Sequence, residues 1–308
     1  MYAHFTQLDD EALLHISGPD SLTFLQGQTT CDTRTVSAEQ AVSGAYCTPQ
    51  GRMVCDFLLA ALGEDHFGLR MRADVVPAAA EAFGKYILFS KAELDASRDD
   101  WRVFALWGED AAAALQASLG QAPNGQLGVA SGDGLRLVQL DEAGEQFEAW
   151  IDMANHAGHL DTLSGAFQEG QVTDWADLQV AAGRARVEGA TSGMFLPQDL
   201  NYDRTGLVNF TKGCYTGQEI VARLHYRGKP KRRTYPAKLD ISEQPVTGAA
   251  IHADAGEQSV GNLVNSGGHS ALVCVAQSAL GKALTLGSAN GPALEVGPSP
   301  YPLEDDED

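Results

Sequence analysis

The stretch TKGCYTGQEIVAR, Thr211–Arg223, sets one cysteine between a lysine–glycine pair and a predicted helix start. Thr216-Gly217-Gln218-Glu219 has the S/T-x-x-E form of a capping box, with Thr216 as N-cap and Glu219 reaching back to its backbone N–H. Ile220, Val221 and Leu224 then supply an apolar stripe, and Gly228 with Pro230 stops the helix. Cys214 falls just before the cap, beside the positive end of the helix dipole and close to Lys212. Both effects favour a thiolate if the side chain is not buried among apolar groups. Gly213 and Gly217 leave the backbone free to approach a ligand. The plainer alternative makes Gly213 a turn, Glu219 a cap only and Cys214 an inward-packing side chain. On the residues alone both readings stay open.

Three of the other four cysteines have a simpler reading. Cys47, Cys55 and Cys274 lie in apolar runs and read as small buried hydrophobes. Five is an odd number and no C-x-x-C pair occurs, which argues against a disulfide framework and against a structural zinc site. P-loop, G-x-S-x-G, H-E-x-x-H and dinucleotide glycine motifs are also missing. Asp32 and Asp56 are lone carboxylates and read as capping or surface acids.

A net charge of −20 opposes general nucleic-acid affinity. The charge is uneven, however: the window 204–238 holds nine Lys or Arg against one acid, Glu219. Such an island suits either one anionic ligand or partner surface, or a solvated hairpin or helix end. The 308 residues suggest two or three domains, and 44% hydrophobic residues promise a packed core. No apolar run reaches membrane-spanning length, and the acidic N-terminal stretch does not read as a signal peptide. A cytoplasmic protein with no membrane partner is expected.

Along the chain, EALLHISG reads as a strand, and Asp20 or Ser21 caps a helix that carries Leu22 and Leu25 on one face. Two strands flank the turn Pro49-Gln50-Gly51, and DHFGLRMR extends the pattern. VVPAAAEAFGKYIL and EDAAAALQASLG read as helices, WRVFALWG as a strand, and GLRLVQL with QFEAWID as a strand pair. HAGHLDTLSGAF and WADLQVAAGRARV read as helices before a loop-rich segment, 189–211. From Arg233 the chain becomes short strands, TYPAKLD, GAAIHA, SVGNLVNSG, ALVCVAQ and PALEV, the pattern of a small β-barrel or sandwich. LEDDED forms an acidic tail.

KGCYTGQE, Lys212–Glu219, resembles the K-G-C-[FY]-x-G-Q-E signature of the YgfZ family of folate-binding proteins. The resemblance extends to ISGPDSLTFLQGQTTCDT, to YCTPQGRMVCDFLL and to FLPQDLNYDRTGLVNFTKGCYTGQEIVARLHYRGKPKRR. Arg52 and Asp56 match the arginine and aspartate of the second segment. Cys31 stands where the family commonly has Asn, and Gln50 where an acid is frequent.

The resemblance implies an α+β, aminomethyltransferase-like fold. Two interleaved mixed domains, 1–45 with 128–230 and 46–127, would join a β-barrel, 233–302, in a ring around a central folate site, with the tail at 303–308. It implies tetrahydrofolate as cofactor, polyglutamylated forms included. The implied contacts are Lys212, Gly213, Tyr215, Gln218, Glu219, Arg223, Gln26, Asp32 and Arg52, with Cys214 as the chemical residue. The implied role is an accessory factor for assembly or repair of iron–sulfur enzymes, including those that thiolate tRNA. Iron–sulfur enzymes or assembly proteins would be partners, with tRNA at the basic island. The alternative is a folate-dependent aminomethyltransferase or demethylase acting on a small amine.

Overall fold

A computed structural model of the protein describes residues 3–239 and 245–303, so most of the acidic tail lies outside the described residues. The chain divides into two units: Met1–Tyr46 with Cys55–Val172, and Cys47–Val54 with Thr173–Asp308.

In the first unit β1 (His4–Gln7) and β2 (Glu11–Ser17) precede α1 (Ser21–Gln28), β3 (Val42–Cys47), β4 (Met53–Gly63), β5 (His66–Arg72) and α2 (Val76–Ile87). There follow β6 (Glu93–Asp95), β7 (Trp101–Trp107), α3 (Ala111–Leu119), β8 (Val129–Gly132), β9 (Leu135–Gln139), β10 (Gln146–Asp152), α4 (Gly158–Ala166) and β11 (Gln168–Glu169). They build two sheets, ordered β3-β4-β5-β2-β6 and β11-β1-β7-β10-β9-β8. Only β1 and β11 pair in parallel within the second sheet; its other neighbours are antiparallel.

Central strands explain the continuous apolar runs: β4 is MVCDFLLAALG, nearly all buried, because both of its faces are covered. Helix α2 starts with Pro at its first turn and buries Val76, Ala79, Ala82, Phe83 and Ile87, a 3.6-residue stripe. Helices α3 and α4 lay Leu115 and Leu163 into one core with Phe104, Leu106, Leu137, Phe147 and Ile151 of the larger sheet. A buried ion cluster joins the two sheets. Arg70 of β5 holds Glu148 of β10 through Nε at 2.8 Å and Nη2 at 2.6 Å. It also reaches Glu11 of β2 at 3.4 Å, while Trp150 Nε1 donates to Glu148 at 2.9 Å. With this many donors on one buried carboxylate, desolvation is offset.

One local expectation changes. Asp20 stands at the N-cap of α1, but its carboxylate does not bond the helix; it accepts from the Lys91 backbone N–H at 2.8 Å. Ser21 Oγ donates to Gly18 O at 2.7 Å. The tie to Lys91 tethers the segment before β6 to the helix entry and uses the cap side chain for tertiary contact.

Besides Cys47–Val54, the second unit takes in α5 (Val172–Ala181) from Thr173 on, passes through short 3-10 turns at Gly189–Thr191 and Pro197–Leu200, and reaches α6 (Gln218–Arg227). Six strands then close a barrel: β12 (Arg232–Leu239), β13 (Ala250–Ala253), β14 (Ser259–Ser266), β15 (Ser270–Ala276), β16 (Leu284–Leu286) and β17 (Ala293–Val296). The order is β12-β15-β14-β13-β16-β17, with β17 returning to β12 through Ala237↔Val296. Tyr235, Leu239, Ile251, Leu263, Val273, Val275 and Leu286 fill it. Closure removes every edge strand, which is how a sheet of such short strands stays paired. Among the described residues no helix is long and apolar enough to cross a membrane.

Candidate functional site

The motif loop is built on a backbone contact. Thr48 and Gly51 form a tight turn, with Gly51 N–H donating to Thr48 O at 2.8 Å. Gly217 packs directly onto that turn at φ +84°. A Cβ there would lie 2.4 Å from Thr48 O and 3.0 Å from Cys47 Cβ. Only glycine satisfies both the left-handed backbone and the approach. Ile220 of α6 covers the other side of the turn, close to where a Cβ on Gly51 would sit.

This contact overturns the capping-box reading. The N-cap of α6 is Gly217, not Thr216, and no side chain caps it. Glu219 stands exposed in the first turn. Tertiary packing against Thr48 fixes where the helix starts, and it needs glycine at the position the box would make N1. Gln218 supplies part of what the box would have given: its Oε1 accepts from the Tyr215 backbone N–H at 3.0 Å and closes the loop before the helix. Gly217 approaches the chain's own turn. Gly213, at φ +112°, has open space where its Cβ would be.

Within the loop Lys212 and Tyr215 are buried, and the Lys212 ammonium sits 5.2 Å from the Tyr215 ring centroid. The cation therefore faces a ring inside the loop. Burial, with Cys47 adding to it, pushes the Tyr215 phenol far above its ordinary value, so it stays protonated at neutral pH. Cys214 lies between these two anchors and is exposed, whereas Cys31, Cys47, Cys55 and Cys274 are buried. Desolvation pushes the Cys47 and Cys274 thiols up to about 12, which removes them as nucleophiles. The inward-packing alternative for Cys214 does not hold.

The other candidates fall into two places. Arg52 and Arg223 belong to the second unit with the motif loop. Arg52 Nη1 donates to Met194 O at 2.6 Å and lies 3.9 Å from Asp199, with 41% of its side chain open to solvent. Arg223 is exposed on α6. Gln26 and Asp32 belong to the first unit. Gln26 Oε1 accepts from Thr33 N–H at 2.8 Å. Asp32 begins the 3-10 turn Thr33–Thr35, accepting from Arg34 N–H at 3.2 Å and its guanidinium at 2.6 and 2.8 Å. The Arg34 hydrogen bonds hold its carboxyl at about 2. Asp32 is thus a capping acid, as its isolation in the sequence suggested.

The basic island separates into two populations. Arg233 is buried and forms a bidentate pair with Asp203 at 2.6 and 2.9 Å. Arg204 also reaches Asp203, at 3.6 Å, and Arg232 reaches Asp199 at 3.1 Å. With Lys212 buried, these four cations serve the fold. Arg223, Arg227, Lys229, Lys231 and Lys238 remain exposed. Their neighbours include an aromatic group that the sequence reading missed. Phe210 and His225 stack with ring centroids 3.7 Å apart and planes within 10°. Tyr226 meets His225 edge-on at 4.7 Å and is 66% exposed. The only sequence signal was two adjacent aromatic rings, His225 and Tyr226, in an otherwise charged helix end.

Residues 6–128 match the family model described as GCVT N-terminal domain. The chain is 33% identical over 250 residues to the "tRNA-modifying protein YgfZ" of Klebsiella pneumoniae (strain 342), covering 81% of this chain and 76% of that one. It is also 33% identical over 251 residues to the protein of the same name from Escherichia coli O127:H6, with the same coverage. The glycine cleavage system aminomethyltransferase T from Bartonella henselae shares the fold, with a TM-score of 0.75 at 18% identity, over 97% of this chain and 86% of that one. The aminomethyltransferase-like architecture read from KGCYTGQE and its flanking segments is therefore the architecture of this protein, and the chain belongs to the YgfZ family.

Proposed function

We propose that this protein is a tetrahydrofolate-binding accessory factor for assembly or repair of iron–sulfur enzymes, including tRNA-thiolating enzymes, with Cys214 as its reactive residue. One observation carries the reading: the chain buries four cysteines and exposes the fifth on a loop anchored on both sides. A loop kept for packing would bury the thiol and expose the lysine; this one does the reverse. The curated relatives named as tRNA-modifying proteins support the RNA side of the role.

The residues suit a reduced folate. Arg52 and Arg223 offer guanidinium groups to glutamate carboxylates, in single or polyglutamylated form. Asp32, ionised throughout the physiological range, is the kind of acceptor a pterin amino group requires, and Gln26 adds an amide beside it. Gly213, Tyr215, Gln218, Glu219 and Lys212 shape the loop that presents the thiol. Bound tetrahydrofolate would supply a carrier for a one-carbon unit. The aminomethyltransferase alternative rests on the fold, and fold does not convey reaction.

The deciding experiment compares wild type with Cys214→Ala for tetrahydrofolate binding by calorimetry and for iron–sulfur enzyme activity in a knockout strain. Retained folate affinity with lost complementation is expected. Full complementation by the variant would remove Cys214 from the function.

A further inference from the structure

The end of α6 carries an unusual combination for a chain of net charge −20: stacked rings and solvent-facing cations together. Arg227, Lys229 and Lys231 are exposed, and none of them enters the carboxylate pairs that hold Arg204, Arg232 and Arg233. Helix-dipole stabilisation accounts for Arg227 and for His225 in the last turn of α6. It does not account for Lys229 and Lys231, which lie past the helix end, nor for Tyr226, an exposed ring at a position open to any polar residue.

We propose that Phe210, His225 and Tyr226, flanked by Arg227, Lys229 and Lys231, form a stacking platform for unpaired bases of an RNA strand. The partner follows from the chemistry. Cations alone would fit any polyanion, a folate polyglutamate tail included. Rings add a preference for flat, unstacked bases, which a polyglutamate lacks and a duplex hides. The Phe210–His225 stack makes the platform rigid by tying the segment before the motif to the helix after it. Phe210 also lies four residues before Cys214, so RNA held here stays on the same loop–helix segment as the exposed thiol. The rest of the acidic surface repels RNA, confining it to this patch.

The inference deepens the RNA side of the proposed role and uses residues distinct from Arg52, Arg223 and Cys214. The test measures fluorescence anisotropy of a labelled single-stranded RNA oligonucleotide, and of the same sequence as a duplex, with the full chain over a salt series. The single strand should bind about ten-fold tighter than the duplex, the size of one base–aromatic stack. Tyr226→Ala should lose about ten-fold affinity at unchanged salt slope, and Tyr226→Trp should keep it. Replacing Arg227, Lys229 and Lys231 with Gln should flatten the log–log salt slope by about 2, at ~0.7 for each phosphate no longer neutralised. These positions are exposed and only Arg227 supports the helix end, so melting temperature should fall only slightly, and calorimetric folate affinity should stay as in wild type. Lost folate binding in wild type, with RNA binding intact, would sink the folate reading and leave this one standing. No RNA binding at physiological salt, equal binding of duplex with a silent Tyr226→Ala, or displacement of RNA by poly-L-glutamate of equal charge would overturn the platform.

Discussion

Gly213 and Gly217 stand four residues apart in one motif and do different work. Both have left-handed φ, which costs a side-chain-bearing residue about 1–2 kcal/mol. Gly217 adds a backbone clash at 2.4 Å, whereas Gly213 faces open space. Gly217→Ala should therefore lose clearly more than the conformational cost, above about 3 kcal/mol, and Gly213→Ala only about 1. Urea unfolding of the two variants checks the order; equal losses would mean that the Thr48 contact does not hold the loop. Cys214→Ala and Glu219→Ala remove exposed groups with no cap or core role and should each stay within about 0.5 kcal/mol of wild type. A drop near 1 kcal/mol for Glu219→Ala would restore the capping box that the structure replaces with Gly217.

At the scale of elements, β12 shows why charge read along a sequence misleads. The window 204–238 looks like one basic island because its carboxylate partners, Asp199 and Asp203, sit just before it in the chain. Folding brings them onto Arg232 and Arg233 at the start of the barrel strand. Asn201, at φ +62° between those two acids, donates from its amide to Thr234 O at 2.7 Å and pins the same strand. Periodicity exposed the long strands and helices, since their apolar repeats are local. It could not expose β1, β6, β8, β11 and β16, of two to four residues, whose pairing is decided by the partner strand. For the site, the motif marked the loop on which the fold leaves a cysteine exposed. The cations that serve the fold and those that face solvent became distinguishable only with tertiary contacts. Arg233→Ala should lose about 3–5 kcal/mol by leaving Asp203 buried without its main partner. A paired Arg233→Met, Asp203→Leu variant should recover part of that loss. If Arg233→Ala melts with wild type, the bidentate pair is not a structural anchor.

At the scale of the whole molecule, acid weakens a chain of this charge and strengthens it at once. Lowering pH neutralises carboxylates and relieves the self-repulsion of a −20 chain. Against that stands His15, buried in β2, whose Nδ1 lies 3.0 Å from His66 Nε2 and whose ring lies against Trp101. Burial, then the charges of Arg98 and His66, hold His15 down at about 4; Asp100 and Asp95 oppose them weakly. His66 is lowered as well, again chiefly by burial. A base with a depressed folded value binds fewer protons folded than unfolded, so its contribution is complete above the unfolded value near 6.5. It is lost as pH falls from there through about 4, where the linked penalty reaches about 3 kcal/mol. Tryptophan fluorescence reads chiefly the right unit, because three of the four tryptophans, Trp101, Trp107 and Trp150, lie in the first and Trp175 alone in the second. Denaturant midpoints from pH 7 to pH 4 should fall steeply for wild type and much less for His15→Leu. Coincident curves would assign the acid lability to groups other than the buried histidine pair.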